Sequence, residues 1–169
     1  MDLNKLMRYL AYTLEIFIFF MLQQTPGLFP EIFGARPILL IPVAIMIAMF
    51  EPQIPAVAFG VFSGIMMDFG FGGILGINAL ILTFLCYAVS TISRTVLRVN
   101  LGTAIITAIW TTAIVILLGW FFQYFLKGYT APLYALTSRY FSRFCYTVLL
   151  SPIIFLINKG VLGLMRAPE

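Results

Sequence analysis

Histidine is absent from the 169 residues. Without an imidazole, Ser-His-Asp and Cys-His nucleophilic catalysis are excluded, along with most zinc sites. Charge is scarce as well: 9% of positions are charged, against about 25% in an ordinary soluble domain. With 62% hydrophobic residues, folding in water would leave a large apolar surface uncovered, and the apolar runs recur at membrane-span intervals with short polar breaks. The class that fits is a single polytopic membrane domain over residues 1–169. Its two cysteines, Cys86 and Cys145, fall in apolar segments without disulfide or zinc-site spacing, and both read as small buried hydrophobes. Ten Lys and Arg against six Asp and Glu leave a formal charge of +4. The basic residues stand singly or in pairs near segment ends, a pattern of membrane topology that argues against nucleic-acid binding.

The apolar runs predict six helices, at about 7–23, 37–50, 54–71, 77–97, 101–126 and 141–164. The first resembles a signal peptide in length but lacks a small-x-small cleavage pattern, so an uncleaved helix is expected. The second and third runs, joined by Glu51-Pro52-Gln53, are short for a span of ~20 residues. Pro152 lies in the middle of the sixth, where the lost backbone bond predicts a kink. Six spans put both termini on one side, with Lys5, Arg8, Arg94, Arg98, Lys159 and Arg166. Arg36, Lys127, Arg139 and Arg143 fall opposite, and the excess predicts cytoplasmic termini. Tyr9, Tyr12, Trp120, Tyr124 and Tyr140 sit near segment ends, as interfacial anchors do.

The third segment holds the most informative pattern. Ala56, Gly60, Gly64 and Asp68 recur at a spacing of four and share one helix face. Lipid supplies no hydrophobic drive for helices to associate, so small residues that allow close backbone approach mark a packing face, toward a neighbouring span or a partner protein. Gly70, Gly72, Gly73 and Gly76 give the chain freedom to turn before a helix that starts near Ile77 and Asn78. Asp68 precedes that turn. Its structural reading is a carboxylate accepting backbone N–H groups of the turn or of the next helix's first residues; its functional readings are an ion or proton site and a partner contact. Glu15, near the centre of the first run, costs roughly 3 kcal/mol at membrane depth unless protonation or an inward-facing partner relieves it. The Gly-rich "GFGG" opens no βαβ unit and precedes no Gly-Lys-Ser/Thr, so a phosphate cradle is excluded.

Gly64-Ile-Met-Met-Asp68, followed by Gly72-Gly73-Ile-Leu-Gly76-Ile-Asn78-Ala79-Leu80, resembles the central signature of the MreD family of rod shape-determining membrane proteins. Pro37-Ile-Leu-Leu-Ile resembles the start of that family's second helix, and Tyr146-Thr-Val-Leu-Leu-Ser-Pro152 its last helix. The resemblance implies a non-catalytic scaffold in the bacterial cytoplasmic (inner) membrane. It further implies action with MreC, the MreB cytoskeleton, and the RodA and class B penicillin-binding protein pair that builds lateral peptidoglycan, and no cofactor or metal. It also implies an all-α six-helix transmembrane bundle akin to the substrate-binding components of energy-coupling factor transporters.

That kinship supplies the competing reading, a solute-binding transporter subunit, for which Asn78, Thr83, Tyr87, Gln123 and Tyr124 are the candidate polar lining. A third reading, an intramembrane enzyme or proton-coupled carrier, requires Glu15 and Asp68 to converge.

Overall fold

The computed structural model describes residues 3–28, 36–71, 75–96, 98–122, 137 and 140–165. Gly72, Gly73, Gln123, Tyr124, Lys127, Arg139 and Arg166 lie outside the described residues, as does the end of the expected fifth helix. The described residues form six helices: α1 Leu3–Gln24, α2 Leu40–Phe50, α3 Gln53–Phe71, α4 Ile77–Thr95, α5 Leu101–Trp120 and α6 Phe141–Met165. All except α2 are long and apolar enough to cross a membrane.

The exception organises the rest. With 11 residues, α2 is about 16 Å long, roughly half the ~30 Å of a bilayer's hydrocarbon core. Leu40–Met49 are all buried, and α2 packs against each of the other five helices. A helix that is hydrophobic all round belongs inside a bundle, and this one forms its axis.

A short central helix ends among its neighbours, where its unpaired backbone groups cannot reach bulk water. Side chains from three helices meet them. At the start of α2, Gln23 Oε1 from α1 accepts the N–H groups of Leu39 at 2.8 Å and Leu40 at 3.3 Å. Thr147 Oγ1 from α6 accepts that of Ile38 at 3.1 Å. At the other end Ser93 Oγ of α4 donates to the Met49 carbonyl at 3.1 Å, and Ser90 Oγ to the Glu51 carbonyl at 2.8 Å. The helix thus begins at Leu40, three residues after the expected start at Pro37, because residues 38–40 take their partners from other segments.

Pro152 leaves α6 continuous from Phe141 to Met165. Proline at position 152 cannot donate to the carbonyl four residues back, that of Val148. Ser151 Oγ donates to that carbonyl instead, at 2.7 Å, so the freed group is satisfied inside the helix. Two expectations from position alone are corrected here. Tyr12 is 0% exposed and packs edge-on against Phe59, with ring centroids 5.7 Å apart, so it is a core residue and not an interfacial anchor. Cys86 is buried, whereas Cys145 lies exposed on the outer face of α6.

Candidate functional site

The Gly60–Gly64 face is covered within the chain by α4. A methyl group added at Gly64 would overlap the Ala79 Cα and come within 2.8 Å of the Ala79 nitrogen and 2.9 Å of the Asn78 carbonyl oxygen. At Gly60 it would meet the Cys86 side chain at 3.0 Å and the Leu82 carbonyl at 3.2 Å. The α3 and α4 backbones therefore touch, with Ala56 buried a turn earlier on the same stripe. The adjoining face of α3, one residue further round the helix, presents Val61, Ile65 and Phe69 outward. Gly70 belongs to the end of α3 and has a different neighbour, since an added methyl there would strike Gln24 and Phe20 of α1.

Asp68 closes the hairpin at its end. It is 2% exposed; its Oδ2 accepts the N–H groups of Gly76 at 2.9 Å and Ala79 at 3.3 Å, and its Oδ1 accepts that of Asn78 at 3.2 Å. Gly76 occupies the N-cap position of α4 with φ +96°, a left-handed conformation that glycine adopts without strain. Having no side chain, it cannot cap the helix, and the carboxylate from α3 does so in its place, at the end of α4 where negative charge is favoured.

The face of α1 turned to the bundle carries polar groups at three levels. Arg8 Nε lies 2.7 Å from Glu51 Oε1, and Arg8 Nη2 donates to Glu51 Oε2 at 3.1 Å. This two-point pair ties α1 to the turn between α2 and α3. The Tyr12 hydroxyl and Arg94 both lie near the same carboxylate. Two turns up from Arg8, Glu15 accepts a hydrogen bond from Asn158 Nδ2 of α6 at 2.7 Å. Further along, Gln23 meets the start of α2. Glu15 and Asp68 thus stand in separate helix pairs with separate partners. The solute-lining candidates that are described all lie on α4, and no hydrogen bond joins them. Asn78 is in its first turn, the Thr83 hydroxyl is donated to its own helix at Ala79, and Tyr87 is exposed. Among the described residues no three His, Cys, Asp or Glu side chains are grouped to hold a metal ion.

Residues 4–162, nearly the whole chain and all six helices but for their outermost ends, match the model of the family described as rod shape-determining protein MreD. The chain belongs to the MreD family. No curated protein and no solved structure matches it. Membership together with the five long apolar helices makes it a multi-pass membrane protein with a role in determining rod shape.

Within this MreD family chain, several residues that hold the bundle together escape a reading of sequence: Glu51, Asn158, Gln23, Thr147, Ser90, Ser93 and Ser151. A signal was present. Each polar side chain stands in or beside an apolar segment, and in α1 the sequence Arg8, Tyr12, Glu15, Phe19, Gln23 steps by three and four along one face.

Proposed function

We propose that this chain is a non-catalytic membrane scaffold of the bacterial rod complex. In this reading it lies in the inner membrane with cytoplasmic termini, and supports lateral peptidoglycan synthesis through contacts with MreC and, around it, MreB, RodA and a class B penicillin-binding protein. The observation that carries the reading is the family match over residues 4–162. The packing supports it: the middle of the bundle, where a solute would have to sit, is filled by α2. The buried polar side chains of α1, α4 and α6 are directed to backbone groups and to one another. Because α4 already covers Gly60 and Gly64, partner contacts fall on outward faces and not on the glycine stripe.

Affinity recovery from detergent-solubilised native membranes tests the proposal. An MreC homologue and other elongation proteins should accompany the chain, and its depletion should cost cells their constant width. Recovery of a transporter ATPase with a bound vitamin-sized molecule, in cells of normal shape, overturns it.

A further inference from the structure

Glu15 and Asn158 face each other between α1 and α6, 7% and 0% exposed. Asn158 Nδ2 donates to Glu15 Oε1 at 2.7 Å and to the Ile154 carbonyl of its own helix at 3.1 Å. Two buried oxygens are left without a hydrogen-bond partner, Glu15 Oε2 and Asn158 Oδ1. An ionised carboxylate oxygen and an amide oxygen are both acceptors, so neither can satisfy the other. A proton on the carboxyl changes this, because a carboxylic acid and a primary amide are planar groups that each offer one donor beside one acceptor.

We infer that Glu15 is held as the neutral acid, its Oε2 proton donated to Asn158 Oδ1, so that α1 and α6 are joined by a closed ring of two hydrogen bonds. No described cation on α1 or on the helices packed against it, α2, α3 and α6, is placed to substitute for that proton. On α1, Lys5 is exposed near the start of the helix and Arg8 is held by Glu51. Tyr12, the titratable group one turn before Glu15, has its hydroxyl near Glu51. On α6, Lys159 is exposed and Arg143 lies over the Tyr140 ring near the helix start. The α2 helix contains no charged residue, and the acid of α3, Asp68, is bound to the start of α4. Two oxygens alone make a poor cage for a calcium or magnesium ion, which takes six or more ligands. The ring removes the penalty of a bare charge at membrane depth and makes the pinning of α1 to α6 depend on one proton.

Infrared spectroscopy of the purified chain in lipid nanodiscs at neutral pH reads this directly. The wild type should show the carbonyl band of a buried protonated carboxylic acid. Glu15→Gln should lose that band, and Asn158→Leu should move it to higher frequency, because the acid's carbonyl oxygen then accepts no amide hydrogen bond. Since glutamine reproduces the shape and donor of the neutral acid, Glu15→Gln should melt within about 2 °C of wild type, whereas Glu15→Leu should melt several degrees lower. Identical carbonyl bands in wild type and Glu15→Gln overturn the inference. So does a Glu15→Gln protein that melts like Glu15→Leu or fails to fold.

Discussion

The α3–α4 hairpin and α1 are attached to the same bundle by opposite means. In the hairpin two backbones meet at Gly64 and Ala79 with no side chain between them. Attraction there is dispersion summed over a close surface, available because glycine has no Cβ. In α1 the inward face is joined through side chains at three heights: Arg8 to Glu51, Glu15 to Asn158, and Gln23 to the start of α2. Its outward face, with Leu3, Met7, Leu10, Leu14 and Met21, is left open. A contact made of shape tolerates no added atom, whereas one made of polar pairs tolerates an isosteric replacement and fails when one partner is removed. Measured hydrogen bonds between membrane helices average about 0.6 kcal/mol, so the Glu15 and Gln23 attachments of α1 are each weak singly.

The largest effect is expected where shape rules. Gly64→Ala forces α3 and α4 apart and should destabilise the purified protein by about 3 kcal/mol, at the upper end of overpacking, read by thermal or denaturant unfolding in detergent. Gly60→Ala, whose neighbours include the movable Cys86 side chain, should cost about a third of that; equal losses at the two sites would break the picture of a single backbone contact point. Next comes the α1 pair. Glu51→Ala strands the Arg8 guanidinium, and because that side chain remains 23% exposed, the loss should be about 2 kcal/mol, below the 3–5 of a fully buried pair. Asp68→Ala orphans three N–H groups and should cost about 2 kcal/mol, with Asp68→Asn recovering part by keeping one acceptor. Ser151→Ala should cost as little as Gly60→Ala, about 1 kcal/mol from leaving the Val148 carbonyl unpaired beside Pro152.

The parts of this architecture that were legible in the sequence are those written locally. Apolar run length marked the helices, and a repeat of four marked the small face of α3. Asp68 stands eight residues from Gly76, close enough in the chain for a turn to bring them together. What escaped needs the tertiary arrangement first. Arg8 and Glu51 are 43 residues apart and Glu15 and Asn158 are 143 apart, and no periodicity links them. The placing of α2 was half legible: its run was visibly short for a span, but that it stands at the bundle's axis depends on all five neighbours. Likewise the stripe identified a packing surface without saying whether α4 or a foreign protein would cover it.

That last point is open to a direct measurement. In native membranes, with Cys145 replaced by serine, Gly60→Cys places a thiol against the natural Cys86 of α4. Mild oxidation should then close a disulfide within one chain, detected by mass after proteolysis. Disulfide-linked dimers, or an introduced thiol that stays free and is labelled by a membrane-soluble maleimide, would show the small face of α3 open to other molecules and contradict the account.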